Sequence, residues 1–284
     1  MITDAQVHLF QADTPETPWP QEPGRGTGKV PSYTYEQMIG AMDAIGVDRA
    51  VIVPPVWAGD QNDYAFEACA AFPGRFAIMG RLDPFAPGSP EILERWMQQP
   101  DMLGIRMSSR WGSREEPFPT LLANGDLDWF FATVARLEFP LKLLTREALP
   151  AVDGVMTANP RLRVIIDHMA TVDKDTVEGS FEHLETLLAL AKHPGVNVQV
   201  STAPNHSRQA YPFEDVQPVL RRIYDAYGAS RLLWAADITQ LTKGKNTYAE
   251  CLRLWQEGLP WLSGSDRDRI LGGTAAEVMR WEER

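Results

Sequence analysis

Polar and apolar residues alternate through Thr3, Asp4, Ala5, Gln6, Val7, His8 and Leu9. In a strand that period of two sends Asp4, Gln6 and His8 to one face and Ala5, Val7 and Leu9 to the other, so one face predicts core and the other a site. Residues 11–32 are rich in Pro and Gly and cannot hold helix or ladder hydrogen bonds. They predict a long loop, and a loop of that length in a compact chain suggests a lid over the mouth of a site. Thr34 is placed to cap a helix over Tyr35–Ile45, with Met38, Met42 and Ile45 at helical spacing and Gly46 as its stop. Ala50–Val53 is apolar on both faces, as strands of a covered parallel sheet are.

The same alternation then repeats along the chain. Strands are predicted over Phe76–Leu82, Leu103–Met107, Pro140–Leu144, Arg163–Asp167, Val196–Val200 and Leu232–Asp237. Helices are predicted over Asn62–Ala71, Ser89–Gln98, Asp126–Leu137, Glu147–Asn159, Phe181–Lys192 and Phe213–Tyr227, with two more near Tyr248–Trp255 and Asp266–Trp281. Eight strands, each followed by a helix, within 284 residues predict a single-domain (β/α)8 TIM barrel over residues 1–284. An open doubly wound sheet is the competing α/β architecture. It expects a Gly-rich phosphate turn after the first strand, and His8-Leu-Phe-Gln-Ala supplies none.

Composition narrows the partners. Hydrophobic content of 44% and charged content of 23% are those of a globular chain. With 38 acidic against 27 basic residues the net charge is -11, which disfavours nucleic acid and anionic membrane and favours a small-molecule substrate. Oligomeric state is not encoded in these features. Cys69 and Cys251 are the two cysteines, too few for a disulfide framework or thiolate metal site. The first strand is not preceded by a basic region and apolar leader, and no apolar run approaches a membrane span, so a cytoplasmic location is expected.

A barrel of this kind carries its active site at the C-terminal ends of the strands, and these ends are polar. Gln6 and His8 end the first, Arg81 the third, Arg106 the fourth, Lys142 the fifth, His168 the sixth and Asp237 the eighth. His8, His168 and Asp237 form the candidate catalytic set. Arg81, Arg106 and Lys142, on adjacent strands, would bind an anionic substrate by its carboxylate. Trp57 and Trp111, on the loops after strands two and four, would wall a ring. Gln6, His206 and Arg208 complete the candidate substrate contacts, while His183 and His193 read as helix-surface histidines. The plainer readings are an N-cap for Asp237 and solvated rim charge for the cations. Asp167 is expected to face away from His168 and to orient a loop.

These ends resemble the amidohydrolase superfamily. Thr3-Asp-Ala-Gln-Val-His8 stands where that family has Asp-x-His-x-His. Leu103-Gly-Ile-Arg106, Leu162-Arg-Val-Ile-Ile-Asp-His-Met-Ala170, Arg231-Leu-Leu-Trp-Ala-Ala-Asp237 and Ile270-Leu-Gly-Gly-Thr-Ala-Ala276 are similar to motifs of its lactone-hydrolysing branch, which includes pyrone-dicarboxylate and sugar lactonases. The resemblance implies hydrolysis of a lactone or similar cyclic ester bearing a carboxylate. Asp237 would be the base, and His8 and His168 would polarise the carbonyl directly or through a metal.

Gln6 departs from the pattern, because an amide is a poor zinc ligand beside imidazole. A site needing no cofactor is therefore favoured. The alternative is one divalent metal, Zn by preference, on His8, His168 and Asp237. Two other functions compete: a metal-dependent decarboxylase of an aromatic or unsaturated acid, and a small-molecule-binding barrel whose catalysis has decayed.

Overall fold

The computed structural model describes residues 1–18, 31–55, 61–108, 116–146, 148–238 and 246–281. Among these, eight parallel strands hydrogen-bond in chain order into one sheet. They are β1 Thr3–Val7, β2 Arg49–Ile52, β3 Phe76–Gly80, β4 Met102–Ser108, β5 Pro140–Leu144, β6 Arg163–Ile166, β7 Val196–Ser201 and β8 Leu232–Ala235. Helices connect them, and the sheet curls until β8 lies against β1, giving the (β/α)8 barrel that the alternation of periods predicted.

The two faces of the sheet bury separate clusters. Ala5, Val51, Ala77, Met79, Leu103, Ile165, Leu233 and Ala235 fill the barrel, and Ala275, Val278 and Met279 from the last helix pack with them. Val7, Ala50, Ile52, Ile78, Leu141, Leu143, Val164 and Val198 face outward against the helices. Strands buried on both faces need apolar residues at both parities, which is why Ala50–Val53 lacks alternation. Gly104 holds a close approach within this sheet: a Cβ there would lie 2.2 Å from the Pro140 carbonyl oxygen.

The helix Tyr35–Ile45 has the predicted ends. Thr34 and Gln37 form a reciprocal capping box, and Gly46 closes the helix at φ 75°. Others differ. The helix expected from Asp126 starts at Asp128 and follows a separate turn of helix, Phe118–Ala123. The helix expected from Phe213 starts at Gln217, where Pro218 suits a first turn. The closing helix is three pieces, Gly264–Asp268, a wider-wound Arg269–Gly273 and Thr274–Met279. A Cβ on Gly272 in its middle would meet the Met1 carbonyl oxygen at 2.2 Å, so that turn is shaped by its contact with the chain's first residues.

The expected facing of β1 needs correction. Asp4 pairs with Ala50 and Val7 with Ile52, so β1 spends three steps where β2 spends two, and the extra residue is a β-bulge. Asp4 and Val7 lie on the outer side with their partners Ala50 and Ile52. Ala5 joins the inner cluster, and the Gln6 side chain also reaches the barrel interior, where it meets Lys142 and His168. The bulge thus turns two successive side chains inward and puts Asp4 opposite Gln6.

Asp4 uses that position to close the barrel. Its Oδ1 accepts from the backbone N–H of Gln6 at 3.1 Å and of Ala236, beyond the end of β8, at 3.0 Å. The Asp237 N–H donates to the Gln6 carbonyl at 3.2 Å. Burial raises the Asp4 carboxyl to about 7.

A carboxyl raised in the fold adds stability when protonated, and that stability disappears as pH rises through the folded value. Asp4→Asn keeps the acceptor oxygen and removes the charge. The variant is expected to gain on the wild type between about pH 4 and about pH 8, by at most about 4 kcal/mol. Denaturant midpoints of both proteins across that range check this, and a difference independent of pH would show that Asp4 does not titrate in the folded chain.

Candidate active site

The C-terminal ends of β1, β5, β6, β7 and β8 bring one polar cluster together inside the barrel mouth. Gln6 is its centre. Its Oε1 accepts from Lys142 Nζ at 2.7 Å, and its Nε2 stands 3.4 Å from His8 Nε2 and 3.3 Å from His168 Nε2. A lysine ammonium has donors only, so the atom it touches must be the amide oxygen. The amide N–H groups therefore point at the two imidazoles, each of which must offer a lone pair at Nε2.

The far side of each ring agrees with this. His8 Nδ1 lies 2.6 Å from the Val53 carbonyl oxygen, which can only accept, so that nitrogen carries the proton. His168 Nδ1 lies 2.6 Å from Ser201 Oγ, which also accepts from Gln199 Nε2 at 3.2 Å. Burial lowers the affinity of both rings for a second proton, His168 to about 4, so both are neutral near pH 7. Asp237 completes the group, with Oδ1 3.6 Å from His8 Nε2 and Oδ2 3.7 Å from His168 Nε2.

Asp167 corrects the sequence expectation. It faces inward, where Oδ2 accepts from Arg106 Nε at 2.9 Å and Oδ1 lies 3.6 Å from Lys142 Nζ. Burial disfavours its charge, but Lys142 and Arg106 outweigh that and hold it down at about 2. The parity argument failed because β6 ends at Ile166 and His168 adopts φ 53°, which breaks strand alternation between the two side chains. An acid after one apolar strand and a lysine inside its neighbour, each otherwise apolar, were the signal of a buried pair.

Lys142 is also relocated. It is fully buried beneath the Gln6 amide, donating to Gln6 Oε1 and to the Ala5 carbonyl at 3.0 Å and ion-paired with Asp167, so it does not stand at the mouth to meet substrate. Burial lowers its ammonium to about 8, with Asp167 opposing. Arg106 keeps a donor in reserve, since its buried Nη1 has no hydrogen-bond partner among the described residues. Arg81 is buried at the end of β3, its backbone held by both ends of the Asn62 carboxamide, at 2.8 and 3.0 Å.

The remaining candidates lie farther out. His206 packs edge-on against Phe181, ring centroids 5.5 Å apart, and burial lowers it to about 4. Arg208 donates to the Lys174 carbonyl at 2.9 Å and clamps a loop. Trp57 and Trp111 fall outside the described residues, as do residues 19–30 of the long loop. The ends of that loop are pinned together by paired Phe10 and Tyr33 backbone hydrogen bonds of 2.9 Å. Its first residues border a cavity of about 430 Å³ with Leu9, Pro54 and Tyr64, beside the outer face of β1 and clear of the His8, His168 and Asp237 group. The contact of Ser201, at the end of β7, with His168 Nδ1 was not assigned from the sequence.

Known proteins share this arrangement of chain. The L-fucono-1,5-lactonase of Burkholderia ambifaria is 25% identical over 98% of this chain and 94% of its own length. The 4-sulfomuconolactone hydrolase of Hydrogenophaga intermedia is 25% identical over 82% of this chain and 73% of its own. A crystal structure of a Burkholderia multivorans amidohydrolase with bound Zn covers 99% of both chains at 20% identity and a TM-score of 0.80, a likeness of fold. Residues 3–281 match the amidohydrolase family Amidohydro_2, and the chain belongs to that family.

Proposed function

We propose that this protein hydrolyses a lactone carrying a carboxylate. Two relatives in the family are lactone hydrolases, and the observation that carries the reading is the pairing of Asp237 with two neutral imidazoles beside the unspent donor of Arg106. Water held against Asp237 beside the two rings is oriented with a proton toward the carboxylate, the group there whose lone pairs Gln6 does not take. Asp237 takes one proton as the oxygen attacks the lactone carbonyl, the ring C–O bond breaks, and the proton passes to the leaving oxygen.

In this reading the imidazoles take a part other than polarising the carbonyl. Neutral rings with lone pairs turned inward cannot donate to a carbonyl oxygen, so Arg106 and Arg81 are the donors for the developing oxyanion and the substrate carboxylate. His8 and His168, each bonded through Nε2 to Gln6, wall the place of the water beside Asp237.

The reading includes a reaction without metal. A tetrahedral zinc site holds its ligands at about 2.0–2.1 Å, which sets them roughly 3.3 Å apart. Gln6 Nε2, His8 Nε2, His168 Nε2 and the Asp237 oxygens have neighbour separations of 3.3 to 3.7 Å, so the spacing suits a cation at three corners. The fourth corner presents amide hydrogens, which repel one. The residues do not fit an ion as they are arranged.

Three outcomes are expected. Asp237→Asn keeps the shape and suits the φ of 49° at that position, since Asn tolerates left-handed backbone. Turnover on a panel of carboxylated lactones should drop at least ~100-fold with folding intact, and activity within a few-fold of wild type would remove Asp237 as base. Arg106→Ala should raise KM for a carboxylated lactone far more than for its neutral ester analogue, while equal losses would assign Arg106 to holding the barrel together with Asp167. Chelation should leave activity unchanged, and elemental analysis should find much less than one metal per chain. Stoichiometric metal, with activity lost on chelation and recovered on adding it back, would overturn the metal-free reading. Carbon dioxide release in the same assays would identify a decarboxylase instead.

A further inference from the structure

Lys142 has no place in the chemistry proposed above, yet it is a fully buried cation in direct contact with the centre of the site. It projects from β5 beside Arg106 of β4, its register partner, and reaches across the barrel to β1. The ammonium has three donors, and three oxygens surround it: Gln6 Oε1 at 2.7 Å, the Ala5 carbonyl at 3.0 Å and Asp167 Oδ1 at 3.6 Å.

A carboxamide has nearly the same shape when turned over, so its orientation is set by its neighbours. Turned over here, Gln6 would place its NH2 group 2.7 Å from the ammonium, donor against donor, and its oxygen against the two Nε2 lone pairs. Both contacts are repulsive, and the first involves a full charge in a dry interior. The observed orientation makes one hydrogen bond to Lys142 and offers one N–H to each imidazole.

We propose that Lys142 is a positioning residue whose charge locks the Gln6 carboxamide with its N–H groups toward His8 and His168, and that this lock makes the cluster reject a divalent cation. The proposal rests on the metal-free reading and names the residue that enforces it. The imidazole lone pairs and Asp237 already stand at cage spacing. Remove the ammonium, and the amide is free to turn its oxygen inward. Two imidazole nitrogens and a carboxylate, the three-ligand set of a catalytic zinc site, then face one point with the amide N–H groups no longer opposing an ion. Losing a lysine should therefore create metal affinity, a result that a purely structural role for Lys142 does not produce.

The test uses the full chain and zinc itself. Lys142→Met keeps length and volume without the charge. Its zinc affinity should rise at least about ten-fold over the wild type, the scale on which groups behind a ligand tune a site. The same increase should be absent from the double variant Lys142→Met with His168→Ala. Nitrogen-15 NMR of the wild type should find both His8 and His168 protonated at Nδ1 and bare at Nε2. A folded Lys142→Met that binds zinc as weakly as the wild type overturns the lock while leaving the metal-free reading standing. Stoichiometric zinc in the purified wild type overturns that reading and the lock with it. Should Lys142→Met not fold, the wild-type spectrum still decides, because an Nε2–H tautomer at either ring is incompatible with the amide orientation, and Gln6→Glu supplies the gain-of-zinc arm. That variant keeps one oxygen on Lys142 and puts the other at the fourth corner, so zinc affinity unchanged from wild type would count against amide hydrogens as the excluding group.

Discussion

One extra residue in β1 sets the conditions for the site. Without the bulge between Asp4 and Val7, strict alternation would put Gln6 with Asp4 on the face that meets the helices, and the barrel interior would lack its central amide. The bulge instead sends Ala5 and Gln6 inward in succession. It leaves the Ala5 carbonyl available to Lys142 and turns the Gln6 N–H to the Asp4 carboxyl. Asp4 then reaches the N–H of Ala236, one residue before Asp237. The irregularity that delivers Gln6 to the site therefore also fixes where Asp237 begins.

Burying so much charge requires near-cancellation, because an unpaired ion in a dry interior costs several kcal/mol. Arg106 and Lys142 share Asp167, which satisfies both cations from one side and leaves their other donors for Gln6, Ala5 and whatever occupies the mouth. The backbone at the strand ends is also forced. His168, Met169, Ala170, Thr202 and Asp237 all have φ between 49° and 55°, a conformation costing roughly 1–3 kcal/mol for a residue with a side chain. Such positions persist where surrounding contacts over-determine them, and here the bond of His168 Nδ1 to Ser201 and that of the Asp237 N–H to the Gln6 carbonyl hold two of them.

Sequence periodicity made the architecture legible because a covered parallel sheet and its helices leave different periods in the chain, with Gly and Pro between them. Gly46 and Thr34 could be read as helix ends since each acts on its own neighbours. The bulge could not, because Asp4 to Leu9 alternates in isolation and the extra residue exists only relative to β2. Asp167 was misread for a related reason: parity was carried one residue past the end of β6. His8, His168 and Asp237 were accessible as strand-end residues, whereas the roles of Lys142 and Ser201 depend on contacts between strands far apart in sequence. Residue type named the chemistry, and only three-dimensional contact assigned the protons.

The proton assignment in turn bears on the substrate. Asp167 and Asp237 contribute two negative charges to the inner face of the barrel, and Arg106 and Lys142 contribute two positive ones, while His8 and His168 stay neutral. These four ions balance one another. The carboxylate of the proposed substrate would then meet the unpartnered Nη1 of Arg106 in surroundings that are already balanced. In the proposed reaction hydrolysis would turn the lactone carbonyl into a second carboxylate, a charge with no buried cation left to meet it. Charge balance would thus favour release of the dianionic product over its retention, before any motion of a loop is considered.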